Sequence, residues 1–466
     1  MTTATVVVDA AFEASAAVPA LIVGAGACGL TASLQLAHSG IETLVVERDS
    51  APIGSTSLSS GFIPAAGTRC QAALGIADSP SQLVFDIQAK AHGLACPQLA
   101  EAYAHTIGEV IDWLQETHGF EWEVLTDFLY PGHHVHRMHT LPQRQGAALV
   151  QALASAAERS GVTVYTSAHV HQLIVNAQGQ IRGVRLTRPD GAIESIGCEA
   201  LILACNGYGG SLELRTRFIP EMLHATFAGH TGNDGSAVLW GEALGANLAD
   251  MSAYQGHGSW AMPHGSLVTW ALMIQGGIQV NSRGERFHDE SQGYSEAAVQ
   301  VVAQPNQTAW CVYDDPIHTL GMTFPDYIDA QSLGAVKVCA DLPTLAAVIG
   351  CPEAALAQTL AQMADTERDQ FGRQFVRPLH APFYAIKVTG AIFHTQGGLD
   401  VDADCRVKRV DGSRLANLWA AGGAARGVSG PHVSGYLSGN GLLSALAGGA
   451  IAAKSVTSYL KGLRLQ

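Results

Sequence analysis

The sequence has few charged residues, and the acidic ones outnumber the basic ones. Charged residues make up 14% of the 466 residues, hydrophobic residues make up 47%, and the formal net charge is −14. A surplus of negative charge argues against a nucleic-acid partner and offers no basic patch to an anionic membrane. The length and the apolar fraction instead predict two or three domains with a large buried core.

Clustered metal ligands are also lacking. The nine cysteines form no C-x-x-C pair, which argues against structural zinc, an iron–sulfur cluster or a dithiol relay and indicates a reducing, cytoplasmic location. The nearest approach to a ligand cluster is His133, His134, His136 and His139, which has no cysteine or carboxylate beside it. We therefore predict no metal site and interpret these histidines as part of a polar loop near a pocket.

Targeting and membrane signals are missing as well. Residues 1–17 have no basic start of the kind that secretory signals carry. The uncharged stretches 18–41 and 437–453 are rich in glycine, serine and other small residues, which favours close packing against a cofactor over a membrane span. We expect neither a signal peptide nor a span.

What the sequence does contain is a glycine motif between residues 18 and 49. Gly24, Gly26 and Gly29 follow an apolar strand and open a helix in the order G-x-G-x-x-G. The first glycine permits a tight turn, the second lets the backbone approach a pyrophosphate, and the third lets helix and strand pack closely. The helix start favours phosphate charge, and Glu47 ends the next strand where an acid can accept ribose hydroxyls. The motif predicts a dinucleotide site without distinguishing NAD from FAD.

The rest of the chain suggests how the domains are arranged. No second such motif follows a predicted strand, so a single dinucleotide would carry the redox chemistry, which points to a bound flavin. Residues 54–68 predict a loop. Residues 227–377 hold much of the aromatic and methionine content and predict an inserted domain that covers the cofactor. Residues 1–226 and 378–466 would then form one discontinuous cofactor domain.

Six separated segments resemble one flavoprotein superfamily. They are GAGACG, ALILACNGYGG, NDGSAVLWGEALGA, GGIQVNSRGERFHDE, HTQGGLDVD, and NLWAAGGAARG with the following SGNGLLSALAGGAIAA. Their order is that of the FAD-binding subunits of fumarate reductases and succinate dehydrogenases, and of the related 3-ketosteroid dehydrogenases. The resemblance implies an α/β fold: a Rossmann-type, glutathione-reductase-like FAD-binding domain with an inserted α+β capping domain for the substrate.

The resemblance also implies which residues contact FAD. The residues expected at the adenosine and pyrophosphate are Gly24, Gly26, Ala27, Gly29, Glu47, Arg48 and, through its backbone, Val170. Those expected along the pyrophosphate, ribitol and flavin are Ser55, Thr56, Gly61, Phe62, Gly422, Gly423, Asn440, Leu442 and Leu443. The last three begin the final helix, whose N-terminus would stabilise negative charge on reduced flavin. No histidine occupies 55–62, where the succinate enzymes link their flavin, so we predict noncovalent FAD.

The chain departs from the fumarate and succinate enzymes at three places. Their N-R-L-G-G-N motif, whose arginine clamps a carboxylate, is Gly435-Tyr436-Leu437-Ser438-Gly439-Asn440 here. Where they carry an arginine proton donor after R-F-x-x-E, this chain has Ser291-Gln292-Gly293-Tyr294, and their H-H-T is Phe393-His394-Thr395. The tyrosine and the G-Y-x-S segment resemble the 3-ketosteroid dehydrogenases, and cyclohexanone dehydrogenases belong to the same branch.

These departures favour oxidation of a neutral cyclic ketone, of 3-ketosteroid or cyclohexanone type, to its α,β-unsaturated ketone. The α carbon would lose a proton and the β carbon a hydride to flavin N5, while donors hold the carbonyl oxygen. A tyrosine can be the base if its surroundings lower its pKa from about 10. Our hypothesis makes Tyr436 or Tyr294 the proton acceptor, the other a holding or relaying group, and Ser438 and His394 supporting groups or a proton exit.

Two alternatives stay open at this point. One is reduction of an unsaturated acid, in the manner of fumarate reductase. The other is a flavin-binding electron-transfer subunit without a small substrate of its own. The electron acceptor could be oxygen, a quinone or a carrier protein, and the substrate's identity and regiochemistry and the oligomeric state stay undetermined.

Overall fold

The computed structural model describes residues 4–364, 368–375 and 377–465. The chain divides into two compact units. The first comprises the described parts of 1–219, 229–254 and 394–466, and the second comprises those of 220–228 and 255–393. Each unit is described by itself.

The secondary structure follows in chain order. The strands are β1 (Thr5–Val8), β2 (Ala16–Val23), β3 (Thr43–Val46), β4 (Ile63–Pro64), β5 (Glu123–Val124), β6 (Met138–Thr140), β7 (Thr163–Tyr165), β8 (His169–Val175), β9 (Ile181–Thr187), β10 (Ile193–Leu203), β11 (Thr226–Phe227), β12 (Leu248–Ala249), β13 (Tyr254–Ala261), β14 (Ser266–Leu267), β15 (Ile278–Val280), β16 (Thr308–Asp314), β17 (Lys337–Cys339), β18 (Phe383–Thr395), β19 (Gly398–Leu399), β20 (Arg406–Lys408) and β21 (Arg414–Ala420). The α-helices are α1 (Ala27–His38), α2 (Gly54–Ser57), α3 (Arg69–Ala73), α4 (Pro80–Lys90), α5 (Pro97–His118), α6 (Gly146–Arg159), α7 (Leu212–Phe218), α8 (Ser236–Ala243), α9 (Ala271–Ile274), α10 (Tyr294–Val302), α11 (Asp315–Gly321), α12 (Pro325–Ser332), α13 (Leu342–Ile349), α14 (Glu353–Ala361) and α15 (Asn440–Leu463).

The main sheet of the first unit has nine strands. Seven follow the order β1-β8-β9-β10-β2-β3-β7, while β21 pairs with β10 and β20 pairs with β21. The strands β21, β10, β2, β3 and β7 run parallel, and β8, β9 and β10 pair antiparallel. Parallel strands covered on both faces read as continuous apolar runs, which is why residues 20–23 predict a buried strand. The chain therefore has the predicted α/β fold.

Two helices, α1 and α15, pack closely against each other in the first unit. A Cβ added to Gly449 would lie 2.4 Å from the carbonyl oxygen of Cys28, so only glycine allows this approach. The helix α15 begins after Gly439, whose φ of +85° and contact with Pro64 leave no room for a side chain. The start of α15 is thereby fixed against the segment that ends at β4.

The second unit is built on a seven-stranded sheet. Its order is β14-β13-β18-β16-β15, with β11 and β17 also pairing with β18. The pairing of β16 with β18 is antiparallel and runs from Thr308 opposite Thr389 to Asp314 opposite Phe383. Among the described residues no single helix is long and apolar enough to cross a membrane, although the pair α13 and α14, bent by 117°, meets the same length and composition criteria.

The boundaries in the structure differ from the predicted ones at 227 and 377. Residues 229–254 group with the first unit because α8 buries Trp240 in that unit's core and β12 pairs with β19. Residues 378–393 group with the second unit because they form most of β18, the central strand of its sheet. Within 54–68, the predicted loop contains α2 and β4, which are too short to show a periodicity.

Candidate functional site

The predicted phosphate turn lies between β2 and α1. Gly24 has a φ of +106°, and a Cβ there would lie 2.5 Å from the carbonyl oxygen of Ala204. A Cβ on Gly29 would lie 1.9 Å from the carbonyl oxygen of Gly24, so this glycine lets the helix press onto the turn. At Gly26 the nearest atom to an added Cβ is Thr56 Oγ1, at 3.5 Å, which is an ordinary contact distance. Packing therefore does not require a glycine here, and what the missing side chain does is expose the backbone. This division of roles fits a turn that a pyrophosphate approaches.

Glu47 is buried at the end of β3, beside this turn. Its carboxylate accepts hydrogen bonds from the backbone N–H groups of Ala25, at 2.7 Å, and Asp49, at 3.0 Å. Its carbonyl oxygen accepts from the N–H of Ala168, which brings the start of β8 and Val170 alongside. Because a carboxylate has about four acceptor positions, Glu47 can still accept ribose hydroxyls.

Arg48 belongs to a charged group that the sequence only partly indicated. Its guanidinium lies 3.3 Å from Asp234, and an added Cβ on Gly232 would collide with it. His230 Nε2 lies 3.0 Å from Asp49 Oδ2. His230 and Asp234 were missed, although Asp234 lies in the NDGS segment that carries the resemblance.

Ser55 and Thr56 are held by side chains and backbone from distant segments. Thr56 Oγ1 accepts a hydrogen bond from the N–H of Ala27, at 3.1 Å, in the first turn of α1. Ser55 Oγ accepts from the amides of Asn206, at 2.7 Å, and Asn233, at 3.0 Å. Neither asparagine was predicted, because each lies more than 150 residues from Ser55 along the chain.

Gly422 and Gly423, which follow β21, lie beside the start of α1 and Asn206. Gly422 has a φ of +59°, and its added Cβ would lie 3.1 Å from Cys28 Cβ on α1. The Cβ of a side chain at Gly423 would lie 2.2 Å from Asn206 Oδ1. The structure therefore brings both glycines to the start of α1 and to the asparagine that holds Ser55.

Gly61 and Phe62 connect this region to the start of α15. Gly61 has a φ of +73°, and its added Cβ would lie 3.0 Å from the backbone of Gln145. The ring of Phe62 meets that of Tyr130 edge to face at 5.9 Å. The carbonyl oxygen of Phe62 would lie 3.3 Å from a Cβ at Gly439, directly before α15.

The first turn of α15 contains the predicted Asn440, Leu442 and Leu443, all of them buried. Asn440 Nδ2 donates a hydrogen bond to Ser429 Oγ at 3.2 Å. Among the described residues, Asn440 Oδ1 and Ser444 Oγ are buried without a hydrogen-bond partner. Unsatisfied buried acceptors of this kind fit a site that a polar ligand completes.

His394 and Tyr436 also lie at this helix start. Their rings meet edge to face, with centroids 5.8 Å apart. A Cβ on Gly441 would lie 2.8 Å from Cε1 and Nε2 of His394, so the imidazole packs against the bare backbone of the first turn. Burial lowers the pKa of His394 to about 4, which leaves the ring neutral at neutral pH.

Ser438 is fixed by one of the clustered histidines. Its carbonyl oxygen lies 3.0 Å from His133 Nε2, which donates to it. Burial, followed by the nearby Arg137, lowers the pKa of His133 to about 4. The loop around His133 thus holds the segment before α15, and the structure brings Tyr436, Ser438 and His394 together.

The predicted Tyr294 belongs to the second unit, where it opens α10. Its ring stacks on His257 at 4.8 Å with an interplanar angle of 19°. His257 also meets Trp270 and Phe393 edge to face, and burial lowers its pKa to about 3. Tyr294 therefore lies among neutral aromatic rings.

The clustered histidines have separate partners. His134 Nδ1 lies 2.6 Å from Asp86, and His139 Nε2 lies 2.7 Å from Thr68 Oγ1. Within residues 4–364, 368–375 and 377–465, no three His, Cys, Asp or Glu side chains are grouped so as to hold a metal ion. Like His133, these two histidines have roles in packing the loop.

Two arginines of the first unit are paired with acids. Arg137 lies in the same loop as His133, and Arg426 follows the glycines after β21. Each lies beside two carboxylates: Arg137 beside Asp78 at 3.0 Å and Asp86 at 2.9 Å, and Arg426 beside Asp250 at 2.6 Å and Asp400 at 3.3 Å. Among the described residues, Nε of the buried Arg137 has no hydrogen-bond partner, so its donors are not all taken.

Comparison with known proteins identifies the family. Residues 20–442 match the FAD binding domain family. The chain belongs to this FAD-binding family. A curated relative, the NADH:fumarate oxidoreductase of Klebsiella pneumoniae (strain 342), is 25% identical over 453 residues, which is 95% of this chain and 48% of that protein. The chain thus spans about half the length of that relative.

Two further proteins to which this FAD-binding protein is similar are named as dehydrogenases. The 4-oxocyclohexanecarboxylate 2-dehydrogenase of Sinomonas cyclohexanicum is 29% identical over 343 residues, covering 63% of this chain and 57% of that one. The solved 3-ketosteroid-Δ4-(5α)-dehydrogenase of Rhodococcus jostii RHA1 has a TM-score of 0.77 at 23% identity, covering 96% of this chain and 98% of that one. The second match shows a shared fold.

The comparisons confirm the predicted superfamily, its fold and FAD as the cofactor, and with them the class of FAD-dependent oxidoreductases that act on CH–CH groups. The residues present fit this cofactor, because the glycines leave the backbone of the phosphate turn uncovered. In addition, Asn440 Oδ1 and Ser444 Oγ at the start of α15 are buried without a hydrogen-bond partner among the described residues. The noncovalent attachment and the role of each residue stay predictions.

Proposed function

We propose that this FAD-binding protein desaturates a neutral cyclic ketone, of 3-ketosteroid or cyclohexanone type, to the α,β-unsaturated ketone. The observation that carries the proposal is the start of α15, where Tyr436 stands at the position of the relatives' carboxylate-binding arginine and the neutral His394 packs against its ring. Arg137 and Arg426 are each committed to two acids of the protein itself.

The proposed reaction begins with loss of the proton on the α carbon. We assign this proton to the phenol oxygen of Tyr436, which is buried in a glycine-flanked turn. In the first turn of α15 the N–H of Asn440 donates to Leu437 and that of Leu443 to Gly439, each at 3.0 Å. The N–H groups of Gly441 and Leu442 are the ones that we assign to the carbonyl oxygen as negative charge develops there. FAD, when bound, supplies the two-electron oxidant that takes the β hydrogen with its electron pair.

The remaining predicted residues would support this step. Tyr294, which lies in the aromatic group around His257, holds the carbonyl oxygen or relays the proton. Ser438 is kept in place through its carbonyl oxygen by His133, and its hydroxyl is a candidate for the proton exit. His394 lies against both Tyr436 and the backbone of α15.

The Sinomonas relative supports a ring ketone as substrate. Its name describes a dehydrogenase of 4-oxocyclohexanecarboxylate, a cyclohexane ring that carries a ketone and a carboxylate. Because Arg137 and Arg426 are paired with acids of the chain itself, the proposal takes the ketone, rather than the carboxylate, as the recognised group.

A second candidate is reduction of an unsaturated acid. The relative from Klebsiella, which matches 95% of this chain, is named an NADH:fumarate oxidoreductase. Such a substrate needs cationic partners for its carboxylates, and the segment Gly435–Asn440 provides none.

The experiment is anaerobic reduction of the FAD-loaded protein by a panel of donors. Cyclohexanone, 4-oxocyclohexanecarboxylate, a saturated 3-ketosteroid and succinate are mixed separately with the protein, and the flavin absorbance is followed. We expect the ketones to bleach the flavin and succinate to leave it oxidised. Bleaching by succinate alone, or reoxidation of the reduced protein by fumarate but not by an enone, would replace this proposal with the second candidate.

A further inference from the structure

A chain of side-chain hydrogen bonds connects the start of α15 to His394. Asn440 Nδ2 donates to Ser429 Oγ at 3.2 Å, and Ser429 Oγ donates to Gln396 Oε1 at 2.9 Å. Gln396 Nε2 lies 3.3 Å from His394 Nδ1. Asn440, Ser429 and Gln396 are buried, with 0%, 2% and 4% exposure. The sequence predicted only the two ends of this chain.

The backbone of Gln396 is fixed by hydrogen bonds, and its side chain lies in the space beside Gly427. The Gln396 N–H donates to the carbonyl oxygen of Ala253 at 2.8 Å, and its own carbonyl oxygen accepts from Gly427 at 2.7 Å. A Cβ on Gly427 would lie 2.6 Å from Gln396 Oε1, so the glycine makes room for the amide. A buried amide held in this way has a function beyond filling space.

The direction of the chain determines which ring nitrogen of His394 carries the proton. Because Ser429 donates to Oε1, the NH₂ group of Gln396 faces the ring and donates to Nδ1. A neutral imidazole has one donor and one acceptor nitrogen, so Nδ1 accepts and Nε2 bears the hydrogen. The reversed chain would place the proton on Nδ1, where the carbonyl oxygen of Thr395 lies 3.3 Å away.

We propose that Gln396 is a positioning residue that holds the His394 ring by Nδ1 and turns Nε2–H toward the first turn of α15. Gly441 permits this approach, since its missing side chain would lie 2.8 Å from Nε2. The consequence rests on the proposed function: His394 is a neutral hydrogen-bond donor in the reaction and not its general base. Ser429 serves the same purpose one step further away, by orienting the amide.

The test is nitrogen NMR of the FAD-loaded protein labelled with ¹⁵N-histidine, with the His394 signals assigned by their loss in His394→Asn. In the wild type we expect the Nδ1 signal of an unprotonated nitrogen and the Nε2 signal of a protonated one. Gln396→Glu replaces the donor with a carboxylate that only accepts, so the proton should move to Nδ1. The same variant should keep its FAD and reduce it roughly 10²-fold more slowly with the ketone that bleaches the wild type.

The control is Gln151→Glu, the same change on the exposed side of α6, which should leave both signals and the rate unchanged. If Gln396→Glu does not fold, Ser429→Ala, which frees the amide to turn over, should give a mixture of the two tautomers. A wild type protonated on Nδ1, or a tautomer that neither variant alters, would overturn the proposal. A tautomer shift in a protein that no ketone reduces would uphold Gln396 and refute the proposed function instead.

Discussion

The helices α1 and α15 both begin at the predicted cofactor site, but their first turns are built differently. The start of α1 depends on backbone: Gly24 and Gly29 have no space for a side chain, and the exposed groups are N–H donors. The start of α15 depends on side chains that arrive from elsewhere, through Ser429, Gln396 and His394. The phosphate turn is thus encoded locally, whereas the chemistry proposed beside α15 depends on the assembled fold.

The largest effect that would test this contrast is expected at Gly29. Gly29→Val places a Cβ 1.9 Å from the carbonyl oxygen of Gly24, a backbone atom that cannot turn aside. We expect a destabilisation of about 3 kcal/mol or more and loss of FAD, measured by thermal unfolding and by flavin retained after desalting. Gly462→Val, near the end of α15 with no atom within 4 Å of the added Cβ, is the control. Full FAD content in Gly29→Val would contradict the backbone role of the turn.

Tyr436→Phe comes next and acts on the other helix start. It removes only the phenol oxygen and keeps the ring that packs against His394. FAD content should stay as in the wild type, while anaerobic reduction by the ketone slows by roughly 10²-fold or more, the usual contribution of a general base. Tyr165→Phe, which removes a hydroxyl bonded to Glu194 away from these helices, should change nothing. Unchanged reduction in Tyr436→Phe would transfer the assignment to Tyr294, tested by Tyr294→Phe.

A smaller effect is expected at Gly441. Gly441→Ala adds a methyl group 2.8 Å from Cε1 and Nε2 of His394, so the ring has to move. Overpacking of this kind costs about 1–3 kcal/mol of stability. We expect the displaced ring to slow reduction by the ketone by roughly tenfold or more, with FAD retained. Gly462→Ala adds the same methyl group to the same helix in open space. Equal reduction rates in the two variants would show that the position of His394 does not matter.

The last effect concerns stability against acid. Burial lowers the pKa of both His133 and His139 to about 4. Between about pH 6.5 and pH 4 the unfolded chain binds protons that the folded chain refuses, so stability falls as the pH falls, by about 1.4 kcal/mol per pH unit for each histidine. Above about pH 6.5 these groups add no pH dependence.

Urea unfolding at about pH 7, 6 and 5 measures this slope. His133→Gln removes one titrating group at the loop that holds Ser438, and should flatten the slope by about 1.4 kcal/mol per pH unit. Lys461→Gln, at an exposed position in the last turn of α15, is a control that removes charge without removing a buried histidine. An identical slope in His133→Gln and the wild type would show that folding does not lower the pKa of His133.

The same contrast explains how much the sequence could predict. The strand, turn and helix from β2 to β3 are contiguous, and their glycines have fixed spacing, so the strands and the helix expected around the glycine motif are all present. Asn206 contacts Ser55 across 151 residues, and Ser429 contacts Gln396 across 33. A polar residue in a glycine-rich loop gives no sign of such a partner, so these residues could not be found before the fold was known.

The family motifs identified the cofactor and the class of chemistry, but the division into units depends on contacts between distant parts of the chain. Trp240 lies in an aromatic-rich part of the sequence that predicts the inserted domain, and it is instead in the core of the first unit. Composition cannot assign a tryptophan to one of two cores, because both are apolar. The pairing of β12 with β19 places this segment in the first unit, and the local sequence does not show such pairing.

The close packing of α1 on α15 bears on how the protein is made. A ribosome extends the chain by about 5–20 residues per second, so α15 leaves it roughly 20–80 s after α1. During that interval the apolar surface of α1 that α15 will cover, including the backbone at Cys28 that Gly449 contacts, has no partner. Until α15 is made, this surface stays open to solvent or to other apolar chains. The predicted FAD contacts at residues 422–443 are likewise absent until that part of the chain has been synthesised.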